Sequence, residues 1–298
     1  MNQDATPATA ETRPERSAFR NLHRLRVRWA EVDMQSIVFN GHYLMYFDTA
    51  VADYWRALAL PYTESMQAFG GDLYVRKATL DHHASARYDD VLDIGIRCAR
   101  AGTTSLLLAG AVFRQDELLA AGELVYVFAD PATQKSKPLP QPLREVLQAF
   151  DDGEPMLSVR TGTWDEFGAD ARAIRTEVFV QEQHIPAELE WDEADSACVH
   201  AVAYNRIGAA LATGRLLEHV PGVGKIGRMA VRQPLRGAGA GRLVLEALMQ
   251  AARERGETEV LVHAQTSAVA FYARCGFVAR GPEFLDAGIA HVEMMRGL

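Results

Sequence analysis

The stretch K-I-G-R-M-A-V-R-Q-P-L-R-G-A-G-A-G-R, residues 225–242, decides the fold of the second half of this chain. Its first part predicts a strand, because apolar Ile226, Met229 and Val231 are interleaved with arginines. Pro234 ends any ladder there, since it has no N–H to donate. The residues after the glycines repeat apolar positions at helical spacing and predict an amphipathic helix. The glycines therefore lie between the end of a strand and the start of a helix.

This glycine-rich turn predicts an anion site. The first N–H groups of a helix have no intrahelical partner and carry partial positive charge. Glycines in the turn remove the side chains that would keep an anion away, and two flanking arginines add charge. We therefore expect a phosphate or pyrophosphate here. The predicted contacts are the seven consecutive residues of the turn: Arg236, Gly237, Ala238, Gly239, Ala240, Gly241 and Arg242.

Three anion-binding patterns compete for this turn. A P-loop requires Lys-Ser or Lys-Thr after its last glycine, and neither follows Gly241. A dinucleotide fingerprint requires an acidic residue at the end of the next strand, whereas Glu257 and Glu259 precede that strand. The third pattern, [Q/R]-x-x-G-x-[G/A], is satisfied by Arg236, Gly239 and Gly241. It resembles motif A of the GNAT N-acetyltransferase superfamily, which binds the pyrophosphate of coenzyme A.

The segment H-A-Q-T-S-A-V-A-F-Y-A-R-C-G-F, residues 263–277, resembles the GNAT segment in which a helix ends in F-Y-x-x-x-G-F. In that family the tyrosine lies near the CoA sulfur and acts as general acid, and Tyr272 matches it. A positioned phenol can protonate a departing thiolate. The resemblance implies acetyl-CoA as co-substrate, with the backbone of Met229, Ala230 and Val231 contacting the pantetheine arm and the developing oxyanion.

The general base of such a transfer is left open by the sequence. Amine acetylation needs a neutral nucleophile, so a base or a water chain must accept a proton. The loop over residues 181–195 is rich in carboxylates, most of which are expected to be solvated. A helix is predicted over 171–180, with Asp170 as its N-cap. Five residues remain candidates for the base: Glu190, Asp192, His200, Glu283 and His291.

Composition limits the function classes. A length of 298 residues predicts about two domains, and 48% hydrophobic with 23% charged residues is typical of a soluble globular protein. The net charge of −8 argues against nucleic acid as a partner. Three widely spaced cysteines, Cys98, Cys198 and Cys275, give neither a disulfide framework nor metal-ligand spacing, which favours a reducing cytoplasm and predicts no metal. No apolar run reaches the length of a membrane span.

The first half of the chain reads as α+β. Alternation through Leu25, Val27 and Trp29 predicts a strand, and a helix with one apolar face follows over 41–58. Four strand-like segments come next, at 72–80, 91–100, 104–113 and 118–129. A long helix followed by consecutive antiparallel strands is typical of an α+β domain.

This order of elements resembles a hotdog fold, in which a sheet wraps a central helix. Residues 29–48 resemble the hydroxybenzoyl-CoA-type acyl-CoA thioesterases, whose motif D-x-x-G-x-V here reads D-M-Q-S-I-V. In that family the aspartate is the catalytic carboxylate and the substrate carbonyl faces a helix N-terminus. The resemblance implies that Asp33 attacks the thioester or activates water, and that N–H groups of Gly41, His42 and Tyr43 polarise its carbonyl.

Ser36 stands where this thioesterase family has glycine, which puts the backbone path of the loop in question. The resemblance also implies a homo-oligomer, because the site of such domains usually lies between two protomers related by a two-fold axis.

The sequence thus predicts a disordered tail over 1–19, a hotdog domain over 20–150, a linker over 151–156 and a GNAT α/β domain over 157–298. The predicted function is bifunctional: hydrolysis of an acyl-CoA thioester by the first domain, and acetyl transfer from acetyl-CoA to a small-molecule or peptide amine by the second. The alternative is that only the acetyltransferase is active, while the hotdog domain is an acyl-CoA-binding, dimerising regulatory module.

Overall fold

A computed structural model of the protein describes residues 13–298. These residues form two compact units, which divide between Glu154 and Pro155. Residues 59–61 are an exception, because they group with the second unit. The first twelve residues of the predicted tail lie outside the described residues. The prediction of disorder up to residue 19 is wrong for its last part. Phe19 is 5% exposed and packs edge-to-face on Phe113 at 5.8 Å. Its ring occupies the space over Gly95, where a Cβ would lie 2.3 Å away.

The first unit is one antiparallel sheet packed against a long helix. Its elements are β1 (Leu22–Arg26), α1 (Asn40–Ala57), α2 (Tyr62–Phe69), β2 (Asp72–His82), β3 (Val91–Ala101), β4 (Ser105–Arg114), β5 (Glu117–Ala129) and α3 (Gln141–Asp151). The strand order is β1-β3-β4-β5-β2. Glycines let α1 approach the sheet closely, because a Cβ at Gly110 or Gly122 would lie 2.9 or 3.1 Å from the ring of Phe47. That ring is fully buried as a result.

The second unit is a seven-stranded sheet of order β11-β12-β10-β9-β8-β7-β6. Its elements are β6 (Leu157–Gly162), α4 (Trp164–Arg175), a π-helix (Thr176–Glu182), α5 (Ala187–Glu190), β7 (Val199–Asn205), β8 (Ala210–Val220), β9 (Val223–Val231), α6 (Ala240–Glu254), β10 (Glu259–Gln265), α7 (Val269–Arg274), β11 (Val278–Asp286) and β12 (Ile289–Gly297). Within residues 155–298, all of which the structure describes, only β9 and β10 pair in parallel, and α6 is the crossover that parallel strands need.

Helix α4 begins seven residues earlier than the predicted residue 171. The N-cap is Thr163, not Asp170. Thr163 forms a capping box with Glu166, whose carboxylate accepts the Thr163 N–H at 2.8 Å. Asp170 lies inside the helix and accepts a hydrogen bond from the Tyr204 hydroxyl. The Thr-x-x-Glu spacing was the signal for this start.

Strands β9 and β10 separate midway along their length. Their ladder runs from Val223–Glu259 to Ile226–Val262, and no described residue continues it on that edge of β9 beyond Ile226. On the other edge β8 pairs with β9 as far as Val231, with a register shift at the point where Arg228 takes a φ of +51°. The backbone of Met229–Val231 therefore has one edge free of strand pairing.

Candidate functional site

The glycine-rich turn has the backbone conformation that only glycine adopts without strain. Gly237 and Gly239 have φ angles of +89° and +90°, and Gly239 is the N-cap of α6. A Cβ at either position would meet nothing within 4 Å, so the space above them is open. Gly241 differs, because its Cβ would lie 3.1 Å from Val231 and 3.7 Å from the Phe271 ring. The turn therefore adjoins both the end of β9 and helix α7.

Backbone donors at this turn are partly committed. The Ala238 N–H bonds to the Leu235 carbonyl at 3.2 Å, so the predicted contact through Ala238 is not available as a free donor. The Leu243 N–H bonds to the Gly239 carbonyl at 3.1 Å. The amides of 240–242 precede that bond and lie in the first turn of α6, where N–H groups have no intrahelical acceptor. The helix start thus offers several donors to an anion.

Both arginines of the turn are already paired with glutamates. Arg236 donates to both carboxylate oxygens of Glu182 at 2.6 Å, and this bonding lowers the pKa of Glu182. Arg242 donates to Glu246 at 2.7 Å. An incoming diphosphate would have to share or replace these carboxylates, a feature that sequence spacing did not reveal.

The divergence of β9 and β10 opens a cavity of about 630 Å³. Met229 and Tyr272 both line it. The side chain of Tyr272 is 7% exposed and packs edge-to-face against Phe271 and Phe277 at 5.0 and 5.6 Å. Burial raises the pKa of its phenol, so Tyr272 is protonated at neutral pH and can donate a proton or hydrogen bond.

An ion-pair network, named here the Arg175 network, forms part of the wall of this cavity through Glu190, Asp192 and Arg215. The guanidinium of Arg175 is 1% exposed and donates to Glu190 and, at 2.7 Å, to Asp195. Arg215 bonds both Asp192, at 2.6 Å, and Asp195, at 2.7 Å. Glu190 and Asp195 of the acidic loop are therefore buried and held on the sheet by arginines, whereas most carboxylates of the loop are exposed, as predicted. Neither arginine could be picked out from the sequence, because nothing in the spacing pairs groups so far apart in the chain.

The candidates for the general base differ in whether they line the cavity and in whether they are already paired. Glu190 and Asp192 line the cavity but belong to the Arg175 network. His200 is 1% exposed, bonds the Asp195 carbonyl at 2.8 Å and does not line the cavity; its burial lowers its pKa. Glu283 is exposed on β11, away from the cavity lining.

His291 lines the cavity and has a tautomer that leaves one ring nitrogen as a proton acceptor. Its Nδ1 is 2.8 Å from the Ile289 carbonyl. A carbonyl only accepts, so Nδ1 carries the proton and Nε2 is left as an acceptor. The cavity also holds His263, which the sequence analysis did not single out. Its Nδ1 lies 3.3 Å from the Lys225 ammonium, and burial lowers the pKa of both groups.

The first unit has its own cavity, of about 460 Å³. Asp33 lines it together with Tyr43, His82 and His83. One carboxylate oxygen of Asp33 accepts the Gln35 N–H at 2.8 Å. Ser36 takes a φ of +60°, so the loop turns left-handed there even without glycine. His82 is the last residue of β2 and His83 follows it directly; both were missed, since nothing in the local sequence marks them.

The predicted carbonyl site at the start of α1 is only partly assembled. Phe39 is the N-cap and has no side-chain oxygen to satisfy the first amides. The His42 N–H is used by the Phe39 carbonyl at 2.9 Å, and neither Gly41 nor His42 lines the cavity. Asn40 and Tyr43 do line it. The buried Tyr43 hydroxyl accepts the Ala86 N–H at 3.0 Å, which fixes its ring at the cavity wall.

The grouping of side chains and the length of the helices bear on two further classes, metal proteins and membrane proteins. Over residues 13–298, no three His, Cys, Asp or Glu side chains are grouped in a way that could hold a metal ion. Within the same range, no helix combines the length and the apolar character needed to cross a membrane.

Comparison with known proteins gives a match for each half. The family model for the acetyltransferase (GNAT) domain matches residues 165–298, and that for the thioesterase superfamily matches 35–121. The uncharacterized N-acetyltransferase YjcF of Bacillus subtilis is 42% identical over 131 residues, which cover 43% of this chain and 90% of YjcF. The UPF0039 protein Rv2851c of Mycobacterium tuberculosis is 38% identical over 138 residues, covering 43% of this chain and 86% of that protein.

A solved structure similar to the first half is Slr0204, a 1,4-dihydroxy-2-naphthoyl-CoA thioesterase from Synechocystis. It is 20% identical, with a TM-score of 0.40, and the match covers 44% of this chain and 96% of Slr0204. The assignment of the first half depends on the family model and not on this distant likeness.

The predicted order of an N-terminal hotdog domain and a C-terminal α/β domain is confirmed by the matched ranges and the mixed helix and sheet content. Domains of both kinds use CoA thioesters. Identity of 42% across nearly the whole of a relative fixes the family of the second half. The chain therefore belongs to the GNAT acetyltransferase family through its C-terminal domain, which follows a thioesterase-superfamily domain of hotdog fold.

Proposed function

We propose that the second domain transfers an acetyl group from acetyl-CoA to an amine. The observation that carries the proposal is the adjacency of three features: the exposed turn at 237–242, the free edge of β9 and the buried phenol of Tyr272. A CoA molecule needs one site for its diphosphate, one for its pantetheine arm and one for its sulfur. The turn offers hydrogen-bond donors for the diphosphate, the free edge of β9 offers backbone groups for the pantetheine arm, and the Tyr272 hydroxyl offers a donor for the sulfur.

In the proposed reaction the diphosphate accepts hydrogen bonds from the amides at the start of α6. The pantetheine arm runs along the free edge of Met229–Val231, whose amides also stabilise the oxyanion. The neutral amine attacks the thioester carbonyl and forms a tetrahedral intermediate. Collapse of the intermediate breaks the C–S bond, Tyr272 protonates the thiolate, and Nε2 of His291 accepts the proton lost by the amine. Amide and free CoA leave, His291 releases the proton it accepted to solvent, and the Tyr272 phenolate regains a proton from solvent.

The test is Tyr272→Phe. We expect acetyl transfer to fall by about 10²-fold or more, as for loss of a general acid, while the Kd for CoA changes less than twofold. The ring packing against Phe271 and Phe277 survives this change. Phe271→Leu serves as the matched control, since it alters the same aromatic cluster without removing a hydroxyl. Equal turnover by wild type and Tyr272→Phe would remove Tyr272 from the mechanism.

We further propose that the first domain hydrolyses an acyl-CoA thioester, with Asp33 as nucleophile or as base for water. Asp33 at the wall of a 460 Å³ cavity, next to the uncapped start of α1, supports this activity. The alternative is an acyl-CoA-binding, dimerising module without hydrolysis. The replacement of the family glycine by Ser36 would favour this alternative if it changed the loop, but the backbone turns left-handed at Ser36 as well.

Thiol release from a panel of acyl-CoAs distinguishes the two. We expect Asp33→Asn to lower release by about 10²-fold or more. Asp48→Asn, an exposed carboxylate on α1 outside the cavity, is the control and should match wild type. If wild-type protein released no thiol above background, the binding-module function would stand instead.

A further inference from the structure

A second cavity in the GNAT domain carries a concentration of positive charge. It measures about 430 Å³ and lies along α6, and its lining includes four arginines but one carboxylate, that of Glu246. We call it the arginine groove, defined by Arg242, Arg253, Arg274 and Arg296. The chain as a whole has a net charge of −8, so such a cluster is against the general trend of the surface. Grooves lined by one sign of charge concentrate counter-ions.

Half of this charge is uncommitted. Arg242 pairs with Glu246, and Arg296 donates to the Cys275 carbonyl. Arg253 and Arg274 are exposed, and neither side chain bonds to any residue of the described range 13–298. Two free guanidiniums facing one small cavity repel each other, and an anion bound between them would remove that repulsion.

The arginine groove begins at the predicted diphosphate site. Arg242 lies in the first turn of α6, so it belongs to the glycine-rich turn as well as to the groove. Residues 246, 249 and 253 continue along one face of α6 at helical spacing and line the same groove. An extended anion held by the turn would therefore place its next charged group in the groove.

Coenzyme A has such a group. Its ribose carries a phosphate monoester at the 3′ position, one sugar ring away from the diphosphate. A phosphate monoester has a charge of about −1.5 to −2 at pH 7 and three strong acceptor oxygens. Guanidinium groups match those oxygens in geometry, and they bind phosphate through two parallel N–H bonds where they can.

We propose that the arginine groove binds the 3′-phosphate of CoA, so that the acetyltransferase domain selects CoA over dephospho-CoA. This inference rests on the proposed acetyl transfer, because it takes the turn at 237–242 as the diphosphate site. Arg253 and Arg274 are the specificity-determining residues, and Arg242 serves both phosphates.

Occupancy of this site can be followed by hydrogen exchange in the full chain. Amides of 237–243 are titrated with CoA or with dephospho-CoA, which gives a Kd for this turn that is independent of binding to the first domain. We expect wild type to bind CoA at least tenfold more tightly than dephospho-CoA. The double variant Arg253→Gln/Arg274→Gln should reduce the preference to about threefold or less, with an unchanged Kd for dephospho-CoA. Arg280→Gln, which removes one exposed arginine outside the groove, is the control and should keep the full preference.

The outcomes separate the two proposals. Equal Kd values for CoA and dephospho-CoA in wild type, or a preference that survives in the double variant, would overturn the 3′-phosphate site while leaving the acetyltransferase intact. Failure of both ligands to protect 237–243 would overturn the diphosphate site, and the present inference with it. A preference lost equally in Arg280→Gln would show a general charge effect and would also overturn it.

Discussion

Ser36 is a single residue whose backbone decides how the thioesterase motif is built. Its φ of +60° belongs to the left-handed region, which costs a residue with a Cβ about 1–2 kcal/mol. The thioesterase motif D-x-x-G-x-V has glycine at this position, and a glycine would avoid the cost. The chain keeps the left-handed turn and tolerates the strain, so the bridge between Val32 and Val38 still closes the loop.

We therefore expect Ser36→Gly to stabilise the first domain by up to about 1 kcal/mol, after the greater chain entropy of glycine is subtracted. Urea unfolding of the first domain measures the change. Ser36→Ala is the control, because it removes the hydroxyl but keeps the Cβ, and it should give no gain. A destabilised Ser36→Gly variant would mean that the serine hydroxyl holds the loop.

Residues that a local motif marks could be placed at a cavity from the sequence, and their catalytic roles stay predictions. Asp33 and Tyr272 each line a cavity of their own domain, as their motifs had indicated. Arg175 and Arg215 were missed because their carboxylate partners lie 15 to 23 residues away, and only the folded sheet brings them together. His263 lay inside a quoted motif, yet its contact with Lys225 requires the pairing of β9 with β10.

At the scale of elements, helix α4 anchors the acidic loop through one side chain. Arg175 lies at its last turn, between the rings of Trp164 and Trp191 at 5.8 and 4.7 Å from their centroids. Removing one partner of a buried ion pair leaves the other charge uncompensated, which costs about 3–5 kcal/mol. Arg175 therefore holds the loop from α5 to β7 together with Arg215, which bonds Asp192 and Asp195.

We expect Arg175→Met to destabilise the second domain by about 3–5 kcal/mol in urea unfolding. Arg172→Met is the matched control, one turn earlier on the same helix. Arg172 is exposed and also lies over Trp164 and Trp191, so its loss should cost about 1 kcal/mol or less. Similar costs for the two variants would show that ring contacts, not buried charge pairs, hold the loop.

Elements with periodic sequence were predicted well, and those set by tertiary contacts were not. The strands of the first domain and α1 fall within a few residues of their predicted bounds. The start of α4 was readable from its Thr-x-x-Glu capping box and was overlooked. The π-helix and the divergence of β9 from β10 have no periodic signature, since both arise where one element packs against another.

At the scale of the whole molecule, acid should unfold the two domains differently. Burial lowers the pKa of His200 in the folded second domain below its ordinary value near 6.5. The unfolded chain then binds that proton more readily than the folded chain, so stability falls as pH drops below about 6.5 and levels off once the folded pKa is passed. No such loss from His200 occurs above that range.

Calorimetry at several pH values between 8 and 5 should therefore show the second domain's transition temperature falling below pH 6.5. His200→Gln should flatten this dependence, while exposed His219→Gln should leave it unchanged. The two domains must be resolved as separate transitions, because a two-state treatment does not hold for the whole chain. Protein concentration should be kept low, since the sequence pI of about 5.6 lies inside the range. An identical pH dependence in His200→Gln would exclude this histidine as the cause.

The Glu182 carboxylate accepts two hydrogen bonds from the Arg236 guanidinium, and an anion that binds there must compete with it. Inorganic phosphate and other small oxyanions are abundant in the cell, and a bare arginine at a helix start would attract them. A single small ion gains too few bonds to displace an internal carboxylate held at 2.6 Å by two N–H groups. A nucleotide-sized cofactor makes many further contacts, and these can compensate for the loss of the Arg236–Glu182 pair. At the proposed diphosphate site, the Arg236–Glu182 pair would thus favour a ligand large enough to open it over a single small oxyanion.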